Sequence, residues 1–256
     1  MKTLCLIILL ALAALPASAV DERKLVDMTY PFNENTQHWP TANGFKLDKH
    51  TEGMTPDGHW YAAYDYSSAE HLGTHMDAPF HFAQGKWKVD EVPLAKTVGQ
   101  AIVIDVSGKA KANADYRLQV ADLNTWEKRY GRIAPGTIVL MYSGWGRFWK
   151  DRKQYFGSEQ PGDVDHLRFP GYSKEAAEFL VNERKIAAAG IDTASMDYGA
   201  SHDFIVHQVF GNANVPTFEN VANLDKLPAK GAMVYAAPMK IEGGTGAPLR
   251  IFAILP

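Results

Sequence analysis

The residue types best suited to chemistry concentrate in one stretch, His71-Leu72-Gly73-Thr74-His75-Met76-Asp77-Ala78-Pro79-Phe80-His81, which places three histidines and an aspartate within eleven positions. Neutral imidazole and carboxylate are the usual protein ligands of Zn²⁺ and also serve Mn²⁺ and Fe²⁺. Here they are separated by apolar or small residues rather than by a solvating run of charge. An isolated histidine is ordinarily a hydrogen-bonded core residue, but four ligand-type side chains this close point to a metal. No single regular element gathers them. A straight strand would hold His71 and His75 roughly 13 Å apart, and a straight helix, at about 100° per residue, would turn Asp77 away from both. A chain bent at Gly73 and stopped near Pro79 can close His71, His75 and Asp77 on one ion, leaving His81 as a fourth polar group beside it.

Those residues need a frame, and the hydrophobic patterning supplies one. Val26 to Pro31 reads as a short strand ended by proline, and Trp60 to Tyr66 alternates enough to lead into the histidine stretch as a strand. Between them Trp39 is a candidate wall for an aromatic pocket, residues 41–59 read as a mobile connection, and His50 and His59 as solvent-facing. Gly99 to Val106 and Gly136 to Tyr142 are continuous apolar runs of the kind found in buried strands. Val120 to Tyr130, between them, has helical spacing with Leu123, Trp126 and Tyr130 inward. Residues 143–149, dense in glycine and aromatics, read either as a pocket wall or as a loop packed by its own rings. Ser173 caps a helix whose stripe is Ala176, Ala177, Leu180 and Val181, and Ile191 to Asp197 reads as a strand turning polar. A second polar cluster follows: Ser201, His202, His207 and Glu219. His202 and His207 are five apart and would not share a helical face, so their roles should differ. Two further strands, Ala232 to Ala237 and Leu249 to Leu255, flank a turn, Gly243-Gly244-Thr245-Gly246, that lacks the following helix of a phosphate loop.

At the start of the chain, Lys2, the apolar run Leu4 to Leu15 and Pro16-Ala17-Ser18-Ala19 read as a signal peptide over residues 1–19, ahead of a single domain over 20–256. The expectation is a secreted or periplasmic protein with no membrane segment in its mature form. Cys5, the only cysteine, falls inside that leader, so thiolate metal sites, cysteine nucleophiles and disulfides are excluded from the mature chain. Removing the leader takes one lysine, leaving 25 basic against 29 acidic residues, or −4. With charges mixed and no basic cluster interleaved with aromatics, nucleic acid is not an expected partner.

Four stretches together resemble the metal-dependent cyclase-like hydrolases that include bacterial kynurenine formamidase and isatin hydrolase. They are His71-x-Gly73-Thr74-His75-x-Asp77-x-Pro79-x-His81, Phe169-Pro170-Gly171-Tyr172-Ser173 with Glu175-Ala176-Ala177, Gly190-Ile191-Asp192-Thr193 with Ser195 and Asp197, and His207 twelve residues before Glu219-Asn220. The resemblance implies an α/β protein with the swivelling β/β/α fold, a small barrel-like β core and flanking helices, assembled as a homodimer or larger. It implies a divalent ion, Zn²⁺ or Mn²⁺, held by His71, His75 and Asp77. In the formamidase pattern Asp77 bridges to a second ion held also by His207 and Glu219; in the isatin hydrolase pattern one Mn²⁺ suffices. By the same resemblance His81 is the general acid/base and Trp39 an aromatic wall for a small aromatic amide. His202 is a candidate substrate contact that matches no motif of the family.

The expected reaction is metal-assisted hydrolysis of a C–N amide bond in an aryl formamide or cyclic amide. The ion would lower the pKa of bound water from about 15.7 towards 7 and polarise the carbonyl, with His81 relaying the proton. A free histidine titrates near 6.5, so activity should fall as pH drops through that value. No Gly-x-Ser-x-Gly sequence offers a covalent nucleophile. The competing expectations are a lactonase or cyclase acting on a related carbonyl compound, and a secreted metal-binding protein without turnover.

Overall fold

A computed structural model of the chain describes residues 21–256, so the expected leader and Cys5 lie outside the described residues. Strand β1 (Leu25–Asp27) is followed by a long hairpin, β2 (Lys46–Met54) and β3 (Trp60–Ser67), and by β4 (His75–Asp77) inside the histidine stretch. Next come β5 (Val98–Asp105), α1 (Ser107–Ala112), β6 (Arg117–Leu118), α2 (Val120–Tyr130), β7 (Ile138–Tyr142), α3 (Arg152–Phe156), β8 (Gly171–Tyr172) and α4 (Lys174–Phe179). The chain ends with β9 (Ala188–Ile191), α5 (Ile205–Asn212), β10 (Thr217–Glu219), β11 (Lys230–Pro238) and β12 (Gly246–Ile254).

Strands β12, β11, β5, β7, β9, β10 and β4 neighbour one another in that order, and β4 pairs back onto β12, which closes a seven-stranded barrel. Strands β5, β7, β9 and β10 run parallel, and the remaining pairs are antiparallel. Side chains alternate across the wall, as the pleat requires. Met76, Val103, Leu140, Phe218, Val234 and Ile251 belong to one buried cluster, while Ile102, Val139, Met141, Ala189 and Ile191 pack with Leu123, Ala177, Leu180 and Phe210 of the flanking helices. This is the expected α/β barrel with flanking helices, and the runs at Gly99, Gly136, Ala232 and Leu249 are its strands. The Ser173 hydroxyl accepts the Ala176 N–H at 3.1 Å and caps α4 as expected.

Two readings are corrected. Residues 46–54, expected within a mobile connection, form β2 and pair with β3 in register from Lys46↔Ser67 to Met54↔Trp60. The polar, Gly-containing composition hid a strand that has no buried face, so no hydrophobic alternation could reveal it. The strand expected over Ile191–Asp197 stops at Ile191, because the Asp192 carboxylate turns to accept the N–H groups of Ser143 and Trp145 at 2.9 Å each.

Candidate metal centre

Strands β4 and β10 are antiparallel, with Glu219 opposite His75 and Thr217 opposite Asp77. Because side chains two apart share a face, His75, Asp77 and Glu219 project away from the barrel interior that takes Met76 and Phe218. His71 reaches the same place through the bend foreseen at Gly73, whose φ is +59° and where a Cβ would come within 2.3 Å of Phe32. Pro79–His81 forms a 3-10 turn that ends the strand and carries His81 over His71, with ring centroids 3.8 Å apart and nearly parallel. Helix α5 supplies His207 from the other side.

The centre is tight. His71 Nδ1 lies 2.6 Å from Asp77 Oδ1, and His75 Nε2 lies 3.1 Å from the same oxygen and 3.4 Å from Glu219 Oε2. His207 Nε2 stands 3.0 Å from Glu219 Oε1 and 3.3 Å from Asp77 Oδ2. The far nitrogens of two rings are anchored: His75 Nδ1 donates to the Gly73 carbonyl at 2.9 Å, and His207 Nδ1 donates to Asp197 Oδ2 at 2.7 Å. Each anchor fixes the tautomer so that Nε2 keeps its lone pair. In the neutral rings the lone pairs of buried imidazoles therefore face two buried carboxylates, and among the described residues His75 Nε2 has no hydrogen-bond partner. Electron-rich atoms converging out of reach of water need a cation between them. The donor set of imidazole and carboxylate suits a divalent ion, and the groups His75–Asp77–Glu219 and His71–Asp77–His81 each place their ligand atoms within 4.8 Å of one another.

Titration behaviour in the metal-free chain agrees. Burial opposes charge on His75, but the close contact and charge of Asp77, with Oδ1 3.1 Å from Nε2, and the charge of Glu219 outweigh it and raise its pKa to about 9. His207 is likewise raised, against burial, by Asp197, Asp77 and Glu219. Burial also opposes charge on Asp77, yet the surrounding imidazoles, His71 foremost, hold it well below the usual carboxylate range. Glu219 is pushed up by burial and by Asp77. Protons thus stand where an ion would. His81 behaves oppositely: burial, helped by the charge of His71, His207 and His75 against the pull of Asp77, lowers it to about 4. Among the described residues no hydrogen bond anchors its ring, which leaves it free to exchange a proton.

A cavity of about 270 Å³ opens over this cluster, walled by Trp39, Phe82, Phe156, Phe204 and Ala194, with Gln37, His38, Ser195 and Asn220 as its other polar groups. Trp39 lines the cavity and meets Phe204 edge-on at 6.0 Å. His202 does not line it. It is exposed and absent from the cavity lining, because the chain turns at Phe204 (φ +49°) to begin α5 and presents that phenylalanine instead. The 143–149 loop does not line the cavity either; Trp145 is buried against Phe148, and Trp149 stacks on Tyr30 at 3.8 Å. Sequence reasoning missed Phe204 and Phe82, whose signal was only proximity to His202 and His81. It also gave no role to Asn220, which donates from Nδ2 to the Gly73 carbonyl at 2.7 Å and accepts from Tyr155 at 2.6 Å, tying the bend to β10.

Comparison with known proteins follows the same lines. Residues 26–198 match the Cyclase family model. The chain is 33% identical over 208 residues to isatin hydrolase of Roseibium aggregatum, covering 78% of this chain and 77% of that one. It is 26% identical over 229 residues to kynurenine formamidase of Bacillus cereus, covering 88% and 94%. Isatin hydrolase A from Ralstonia solanacearum superposes with a TM-score of 0.82 at 32% identity, covering 91% of this chain and 92% of that one.

Proposed function

The chain belongs to the cyclase family, and from that premise we propose that it is a metal-dependent amidohydrolase that opens the C–N bond of a small aromatic amide. The observation that carries this reading is the convergence of imidazole lone pairs on Asp77 and Glu219 at the floor of an apolar cavity. His71, His75 and Asp77 would hold the ion, with His207 and Glu219 completing the shell or taking a second one. When bound, Zn²⁺ or Mn²⁺ supplies Lewis-acid polarisation of the carbonyl and acidification of water.

The protein's own residues do the rest. Trp39, Phe82 and Phe204 exclude water and hold an aromatic ring with its carbonyl towards the carboxylate cluster. His81, neutral well below pH 7, takes the proton of the attacking water as the C–O bond forms and delivers it to the nitrogen as the C–N bond breaks. Asp197 keeps His207 in the tautomer that presents Nε2. Among the described residues that line the cavity there is no lysine or arginine. The nearby Arg152 is engaged with Gln37 Oε1 and the His38 carbonyl, both at 3.3 Å. This favours an uncharged cyclic amide over an amide that also carries an amino-acid carboxylate.

We infer further that the mature protein is exported and works as a homodimer through the exposed β2–β3 hairpin. The test of the activity is a hydrolysis screen with metal-stripped protein, resupplied in turn with Zn²⁺ and Mn²⁺, on isatin, N-formylkynurenine and an aryl lactone. Metal-dependent opening of isatin with weaker turnover of the formamide is expected. Turnover of the lactone alone would replace the amidase reading by a lactonase, and metal binding without turnover of any of the three would favour a carrier.

A further inference from the structure

The glycine-rich turn Gly243–Gly246 lies against the back of His71. At Gly246 a Cβ would meet His71 Cε1 at 2.5 Å and the Met76 carbonyl oxygen at 2.6 Å, so the imidazole rests on a backbone that has no room for a side chain. At Gly244 a Cβ would stand 2.8 Å from Glu70 Oε1. Between the two glycines, Thr245 donates its N–H to Glu70 Oε2 at 3.0 Å and its hydroxyl to the same oxygen at 2.5 Å, while Thr245 Oγ1 lies 2.9 Å from His71 Nε2. The Thr245 carbonyl accepts the N–H of Ala78, the residue after Asp77, at 2.9 Å.

The polarity of this chain of contacts is determined by counting protons. A hydroxyl has one to give, and a carboxylate oxygen only accepts. With the Thr245 proton on Glu70, the contact to His71 must be closed by a proton on Nε2. In the neutral ring His71 Nδ1 is then the nitrogen with the lone pair, and it is the one aimed at Asp77.

We propose that Glu70 and Thr245 are positioning residues that hold the His71 proton on Nε2 and so make Nδ1 the nitrogen offered to the metal. The proposal rests on the metal-centre reading above. Without the relay, neutral His71 would be free to move its proton to Nδ1 and donate it to Asp77. That internal hydrogen bond would mask two ligand atoms at once, and an ion would have to break it before binding.

The test uses the full mature protein and reads Zn²⁺ and Mn²⁺ affinity by competition with a chromogenic chelator, alongside Tm of the metal-free form. Thr245→Val keeps the shape and removes the hydroxyl; it should weaken metal binding by about 10–100-fold with little change in metal-free Tm. Thr245→Ser restores the hydroxyl and should restore wild-type affinity. Equal affinity of Thr245→Val and wild type overturns the proposal, as does an equal loss in the serine and valine variants, which would make the threonine methyl the agent. If Thr245→Val does not fold, Glu70→Ala asks the same question, since it frees the hydroxyl proton to turn towards Nε2; unchanged affinity there overturns the relay. A wild-type chain that binds neither ion overturns the metal centre and the relay together, whereas binding by wild type and Thr245→Val alike overturns the relay alone.

Discussion

Two antiparallel strand pairs in this molecule are built in opposite ways. In β4–β10, His75, Asp77 and Glu219 are 3%, 4% and 3% exposed, and each is held by neighbours that fix its geometry. In β2–β3, Leu47, Met54 and Trp60 are 51%, 65% and 62% exposed. The register places Leu47 opposite Tyr66, Lys49 opposite Tyr64 and Met54 opposite Trp60, so one face of the ribbon is largely apolar and faces water. The first pair buries charge, which is costly unless a counter-charge is present. The second exposes apolar surface, which is costly unless a partner covers it. The buried pair calls for a cation, and the exposed pair leaves apolar surface that the dimer proposed above would cover.

The largest expected effect comes from removing the reason for the buried charge. His75→Ala or Asp77→Ala should lose bound metal and turnover together, by more than the roughly 10–100-fold that changes behind a ligand cost. Elemental analysis of the purified variants checks this, and full metal content in His75→Ala would remove it from the ligand set. His81→Ala should retain metal and fold yet lose about 10²–10⁴ in kcat, the usual contribution of a general acid/base. Because burial lowers the His81 pKa to about 4, its base form persists far below the 6.5 expected of a free histidine. The acid limb of kcat/KM should accordingly lie nearer pH 4 than 6.5, and a limb near 6.5 that disappears in His81→Ala would place that ring in a water-like setting.

Smaller effects appear in stability. His75 and His207 bind protons more tightly in the folded, metal-free chain than when unfolded. Their contribution is complete below the unfolded value near 6.5 and is lost as pH rises through the folded value, about 9 for His75. A metal ion replaces those protons and binds better as they leave. The Tm of metal-free protein should therefore fall between pH 6.5 and 9 by several times the roughly 2–4 °C that one kcal/mol represents in a chain of this size. The loaded protein should hold, so that the gap between the two widens; scanning calorimetry of both forms across that range decides it, and a constant gap would show that protons do not occupy the ligand positions.

The barrel and much of the centre were legible because their signals are local. Apolar runs mark β5 and β7, the Ser173 cap marks α4, and the Gly73 bend with the Pro79 stop explains how His71, His75 and Asp77 converge. What sequence did not show depends on pairing across long separations. The family resemblance names Glu219 as a ligand, but its place opposite His75 follows only from the β4–β10 register, 144 positions apart, and Thr245 reaches His71 only because β12 closes the barrel on β4. The exposed His202 shows the converse, since a polar residue near a ligand in sequence is carried outward when the chain turns into a helix two residues later. Strand β2 escaped notice for a third reason: half-burial is what makes a strand visible, and this one has no buried face.

The hairpin gives the last and smallest test. An isolated two-stranded ribbon is marginally stable in water, yet this one extends through eight paired positions with the apolar residues of its exposed face aligned across the strands. Its charges are mixed, with Lys49 pairing with Glu52 at 3.1 Å, so two copies related by a two-fold axis would meet without a clash of like fields. Exposed aromatic anchors of this kind commonly cost about 2 kcal/mol or more when truncated in an interface, equivalent to roughly 30-fold in the dimer dissociation constant. Trp60→Ser combined with Met54→Ser should therefore shift the protein towards monomer in sedimentation experiments while leaving metal content unchanged, since neither side chain reaches the centre. A wild-type chain that sediments as a monomer, or a double variant that dimerises as tightly as wild type, would take the hairpin out of the interface.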